Sequence, residues 1–247
     1  MPTDPWMSDL ALPHAKTMRD TKNQVVPALS VVLHITGRAT YLNAEKRKRP
    51  PLDWLSLYFS KAGNPFAHYS VDPWGRIACH ADERQTPYAQ GWAEYGGADG
   101  LARKLAKGKL KVWDWWKARW NHLAARRPGS PCCLSPLDLL APEQATPNVR
   151  SVAIEFIQHG GQLKLTAMQY VNGHELLADI CARHHIPLDQ AHVYGHSDAD
   201  PWGRGTAAGS WDPGAPGDSP TFSWEAMFAG APDELAIETP RMPSWAK

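Results

Sequence analysis

The sequence is poor in cysteine, has no long apolar run and carries almost no net charge. Its four cysteines, Cys79, Cys132, Cys133 and Cys181, form no CxxC pair, which argues against a zinc ribbon or a thioredoxin-like motif. The adjacent Cys132 and Cys133 are poorly placed to share one tetrahedral ion. A disulfide framework does not suit a 247-residue chain this sparse in cysteine, so reduced thiols are expected. No stretch is apolar for long enough to span a bilayer, and residues 1–20 mix Pro, Asp, His, Lys and Arg in a way unlike a secretory signal peptide. The formal charge of +1 gives no electrostatic reason to expect a nucleic-acid partner. A protein made in the cytoplasm without an integral membrane segment is the expectation.

What the chain does have is 12 Trp, 22 Pro and 11 His. Tryptophan suits cores, interfaces and sugar-stacking clefts alike, and the histidines make a metal site possible. The length fits one large domain with tails. Residues 1–24 read as a flexible lead-in, 25–226 as the domain, and 227–247 as a C-terminal tail. Within the domain, residues 99–147 read as a basic, Trp-rich insertion.

Local patterns predict a mixed α/β fold. Residues 30–36 (SVVLHIT) are short, β-branched and closed by Gly37, which reads as a buried strand. Period-two alternation places Val31, Leu33 and Ile35 on one face and Val32, His34 and Thr36 on the other. Residues 45–51 read as a charged, proline-terminated loop, and 52–61 as a short helix with Leu52, Leu55 and Phe59 on one side. Residues 67–77 read as a hairpin turning at Asp72-Pro73-Trp74-Gly75. A second apolar strand, 151–157, carries Glu155. Burying that carboxylate is costly unless it meets a cation, a metal site or hydrogen-bond donors. Thr166 and Gln169 form a capping box that opens a helix running to His184. Met168, Val171, Leu176, Ile180 and His184 fall near one face of it, and His184 and His185 suit the helix dipole at its end. A strand over 191–195 then delivers His196.

Residues 101–127 hold nine Lys/Arg against the single acid Asp114, with Trp113, Trp116, Trp120 and Leu123 at helical spacing. Two readings stay open: an amphipathic helix docked on the domain, or a surface for membrane or anionic wall polymer.

Three strand ends thus carry His34, Glu155 and His196, and a later turn carries Asp212. Two imidazoles and a carboxylate are a catalytic zinc set with one position left open, and a further carboxylate can take a water proton. Taken alone, His34 reads better as a hydrogen-bonded core residue.

Five segments in order resemble the zinc-dependent N-acetylmuramoyl-L-alanine amidases, the family of AmpD-like enzymes, phage endolysins and peptidoglycan recognition proteins. They are 31–37 (VVLHITG), 67–75 (AHYSVDPWG), 148–156 (NVRSVAIEF), 195–198 (GHSD), and 212–214 (DPG) with Phe222 and Trp224. The resemblance covers about residues 28–226. It implies a mixed central sheet flanked by helices, one Zn2+ ion held by His34, His196 and Asp212, and Glu155 as the catalytic carboxylate. It also implies hydrolysis of the amide between N-acetylmuramic acid and L-alanine in peptidoglycan, by a monomer acting on peptidoglycan or muropeptides. His68, Trp92 and Trp202 are the substrate-binding candidates. Two positions depart from the family pattern. Ser210 stands where relatives commonly carry an oxyanion-stabilising lysine, and Arg204 is the candidate replacement. Gln90 stands where relatives often show histidine. The alternative is a peptidoglycan-binding module without turnover. An endolysin, a secreted effector and a muropeptide-recycling enzyme all fit the same residues.

Overall fold

The computed structural model describes residues 27–37, 39–61, 64–85, 87, 151–160, 164–196, 212–213 and 221–247. The expected lead-in and the basic Trp-rich insertion lie outside the described residues.

The fold is built on a central strand, β1 (Ser30–Ile35), buried along its whole length. It is followed by α1 (Ala39–Lys46), α2 (Pro51–Phe59), β2 (Tyr69–Val71), β3 (Ile77–Cys79), β4 (Ser151–Phe156), α3 (Ala167–His184), β5 (Val193–Gly195) and α4 (Trp224–Ala229). The strands form one mixed sheet in the order β3-β2-β4-β1-β5. Only the β2–β3 hairpin is antiparallel; β1 pairs in parallel with both β4 and β5, and β2 with β4. A strand flanked by parallel neighbours is covered on both faces, and its unbroken apolar sequence reflects that.

The predicted alternation of β1 holds. Val31, Leu33 and Ile35 join Val152, Ile154 and Phe156 of β4 in a core closed by Leu176, Leu177 and Ile180 of α3. On the opposite face a smaller core gathers Ala153, Leu55, Phe59, Phe66 and Trp74. The result is helix, sheet, helix, a three-layer α/β arrangement.

Several elements differ from expectation. Residues 39–46 are helical, taking in the first two residues of the predicted loop; Tyr41 and Ala44 are buried, whereas Leu42 is 46% exposed. Their apolar stripe is too short to announce a helix. The α3 helix has the predicted capping box, with Thr166 Oγ1 accepting from the Gln169 amide (3.2 Å) and Gln169 Oε1 accepting from the Thr166 amide (3.1 Å). Its buried face is not the predicted one at the N-terminal end: Met168 is 36% exposed, and Gln169 turns inward to donate to the carbonyls of Val71 (3.1 Å) and Ile157 (3.0 Å). Those two carbonyls lie at the ends of β2 and β4 and need donors, which an apolar side chain could not supply. Gly173 lets α3 approach β4, since a Cβ there would lie 2.7 Å from the Phe156 ring.

His184 also differs. Its Nε2 meets Glu83 (2.6 Å) rather than a helix carbonyl, and Arg183 and the Tyr69 hydroxyl (2.8 Å) bond the same carboxylate. Burial would raise the Glu83 carboxyl, but the His184 and Arg183 interactions outweigh it and hold it at about 2. This cluster ties the segment after β3 to the end of α3. The C-terminal residues are docked as well. Ile237 bridges to Thr166 and exchanges backbone bonds with Leu165 and Ala167, while Trp74 Nε1 donates to Pro240 O (3.0 Å).

Two buried histidines brace the sheet. His68 Nδ1 accepts from the Ala153 amide (2.9 Å) and its Nε2 donates to Gln85 O (2.8 Å). His80 lies between Ser70 Oγ (2.9 Å) and Ser56 Oγ (3.2 Å). Because the Ser56 hydroxyl donates to Leu52 O, His80 Nδ1 must donate and its Nε2 accepts. Burial pushes both imidazoles down to about 4.

A histidine held neutral in the fold protonates more readily once unfolded, so its stabilisation is complete above about pH 6.5 and drains away as pH falls toward 4. Unfolding free energies from denaturant curves measured across that range should therefore drop, by as much as ~1.4 kcal/mol per pH unit for each group. The His80→Asn variant should show a shallower fall. Thr166→Ala, which removes the helix cap, should cost about 1–2 kcal/mol at any pH, read from the same denaturation curves.

Candidate metal centre

Register alone brings the first two groups together. His34 and Glu155 are Cα partners in adjacent parallel strands, so both project from the same face, about 4.8 Å apart in the hydrogen-bonding direction. His196 follows directly on β5, the other neighbour of β1. The three polar positions therefore sit at the C-terminal ends of three neighbouring parallel strands, where open α/β sheets present their ligand sites.

Asp212 arrives from a distant loop, and two features place it. Its Oδ1 accepts from the Ile35 amide (3.0 Å). In addition, Pro213 crosses directly over Gly195, where a Cβ would stand 1.7 Å from the Pro213 carbonyl oxygen. No side-chain-bearing residue fits at 195 with the segment in this position. The Gly195-His196 pair thus serves the site twice, once by the ring it delivers and once by the space it leaves.

Three donor atoms converge. His34 Nδ1 and His196 Nδ1 are 3.1 Å apart, and His196 Nδ1 is 3.2 Å from Asp212 Oδ2. Each of the three residues is 2% exposed. An ion bound tetrahedrally at 2.0–2.1 Å separates its ligand atoms by about 3.3 Å, close to the spacings found here. Between themselves the two imidazoles can place at most one neutral-state proton in their shared contact, whereas a cation takes all three lone pairs at once. The donor set therefore fits a metal ion, and these residues form a group able to hold one. Asp212 is prepared as a ligand. Burial would raise its carboxyl, but the His196 hydrogen bond, the two nearby imidazoles and the Ile35 amide together hold it below the ordinary range. Its second oxygen, bonded to backbone, fixes the orientation of the first.

The site opens into a cleft of about 430 Å³, large enough for part of a substrate. Glu155, half-buried, lines it together with Thr36, Thr40, Asn43, Trp54 and Tyr58.

The family described as N-acetylmuramoyl-L-alanine amidase matches residues 24–215. The chain belongs to that amidase family. Membership supports an amidase acting on peptidoglycan, and the matched span contains His34, Glu155, His196 and Asp212. A solved structure described as "crystal structure of Se-Met AmpD derivative" is similar at 13% identity with a TM-score of 0.49, covering 94% of this chain and 100% of that one. No curated protein matches the chain.

Of the residues singled out from the sequence, the fold unites His34, Glu155, His196 and Asp212 in one cleft. It places His68 elsewhere. That ring is fully buried, uses both nitrogens within the protein and does not line the cleft, so it has no atom to offer a substrate. Trp92, Trp202, Arg204, Ser210 and Gln90 lie outside the described residues. Sequence reasoning missed Thr40, Asn43, Trp54 and Tyr58. Trp54 and Tyr58 had a legible signal, since they stand four apart on α2 and share the face beside buried Leu55 and Phe59.

The close approach at Gly195 makes a direct prediction. Gly195→Ala should leave the helical content seen by circular dichroism intact but lower zinc affinity at least about tenfold in a chelator competition, because it displaces Asp212. Parental affinity in that variant would refute the role assigned to Gly195.

Proposed function

We propose that this protein is a zinc-dependent hydrolase of the amide bond between N-acetylmuramic acid and L-alanine in peptidoglycan. The observation that carries the proposal is the convergence of two imidazole nitrogens and a carboxylate oxygen at 3.1–3.2 Å, with a further carboxylate, Glu155, in the same cleft of a family member. His34, His196 and Asp212 hold the ion. A zinc ion in this position supplies Lewis acidity, polarising the scissile carbonyl and making water a nucleophile near neutral pH.

The remaining chemistry belongs to the chain. Glu155 takes a proton from the attacking water and returns it to the departing L-alanine nitrogen, a general base and then a general acid. Its place one strand from His34 puts it beside the three residues that would hold the ion rather than among them. The Ile35 amide holds Asp212 in orientation throughout. Arg204, standing in for the lysine missing at Ser210, stabilises the developing oxyanion. Trp92 and Trp202 contact the substrate. The protein acts on the cell wall as a monomer, with one zinc ion per chain. Among the described residues no helix is long and apolar enough to cross a membrane.

Mass spectrometry of products from soluble muropeptides tests the reaction, since cleavage at the proposed bond frees a peptide beginning with L-alanine. Glu155→Gln should keep one zinc per chain while losing about 10²–10⁴-fold in turnover. His196→Ala should lose zinc and turnover together. Arg204→Ala should lower kcat about 10²–10³-fold; unchanged turnover would remove Arg204 from the mechanism. Muropeptide binding without any cleavage by the zinc-loaded parent would establish a recognition module instead.

A further inference from the structure

A second cavity, of about 500 Å³, lies beside the metal cleft and is lined by Arg47, Arg49, Trp54, Leu57, Tyr58 and Lys61. Trp54 and Tyr58 line both cavities, so the two adjoin along one face of α2. The second is cationic: three of its six lining side chains are basic and none is acidic. Among the described residues, none of the three cations has a carboxylate within ion-pair distance.

Arg47 is also positioned. Its guanidinium lies over the Trp54 ring, 4.7 Å from the centroid. A cation held on a ring face is partly ordered before any ligand arrives, and the N–H groups of a guanidinium suit two-point pairing with a carboxylate. Unpaired like charges gathered at one pocket repel one another, a cost that an anionic occupant would relieve.

We propose that this pocket is an anion subsite of the substrate cleft, taking a carboxylate-bearing arm of the same peptide-linked substrate whose amide lies at the metal centre. The inference rests on the amidase reading for the identity of that substrate. Adjacency to the cleft favours a group carried by the substrate over a separate polymer, because one molecule lying along Trp54 and Tyr58 reaches both cavities. Trp54 then has two roles: it walls the cleft and it holds Arg47 in place.

The test uses the zinc-loaded full-length protein and the variant Arg47→Gln/Arg49→Gln. Two soluble probes are compared: a muropeptide with its peptide carboxylates free, and the same muropeptide with those carboxylates amidated. The parent should prefer the free-carboxylate probe by about tenfold to a hundredfold in kcat/KM, mainly through KM, with the preference shrinking as salt rises. The variant should lose that preference and cleave the amidated probe at the parental rate. Binding of both probes to the metal-free protein, followed by calorimetry, gives a readout independent of turnover. An arginine-dependent preference in binding without any cleavage would sink the amidase reading and keep the subsite. Cleavage with equal preference in parent and variant would sink the subsite and keep the amidase. A defect confined to sacculi bearing phosphate polymers, with soluble probes unaffected, would overturn the proposal in favour of a wall-polymer contact. Absence of both binding and cleavage would overturn it as well.

Discussion

Strand β5 ends at Gly195, level with Leu33 of β1, and the next amide of β1 on that side, at Ile35, donates to Asp212 instead (3.0 Å). A side-chain carboxylate thus continues the ladder where the strand stops. This satisfies a buried backbone donor that would otherwise be costly. It also fixes one oxygen of Asp212 so that the other meets His196. The ligand is held by the same kind of bond that holds the sheet together, and the precision of the site follows from the precision of the strand.

The approach of residues 212–213 is possible only because position 195 has no side chain. Gly195 therefore couples two distant parts of the sequence. Gly173 does comparable work within the core, where it allows α3 to lie against Phe156. That contact sets the depth of the core behind β1 and β4, whose register in turn determines the spacing of His34 and Glu155.

Histidines serve two separate ends in this fold. His68 and His80 are buried among backbone and hydroxyl groups, kept neutral by burial, and every ring nitrogen has a protein partner. His34 and His196 are as deeply buried, yet their Nδ1 atoms face each other and a carboxylate. What separates a structural histidine from a candidate metal ligand here is the set of atoms facing it, since burial is the same for both. The first pair resists proton uptake, and the second belongs to a group able to hold a cation.

Much of the fold was legible in the sequence. The β-branched run at 30–36, the turn at Asp72–Gly75 and the capping box at Thr166 each state a local preference that the tertiary structure keeps. The α1 helix was not legible, because eight residues with a narrow apolar stripe carry little periodic signal. The inward turn of Gln169 was hidden for another reason: the carbonyls it satisfies belong to residues 71 and 157, far away in the chain. In the site, residue types and segment order pointed to His34, Glu155, His196 and Asp212, whereas His68, expected to meet a substrate, has both ring nitrogens bonded within the protein. Period-two alternation fixes only which side of a strand a residue takes. It says nothing about what lies across from it. By itself, then, the sequence determined the strands, their faces and the chemistry each residue could contribute. The tertiary structure alone decided which of those residues meet, because the meeting depends on strand register and on a close backbone approach at Gly195. Both join parts of the chain that no local pattern relates.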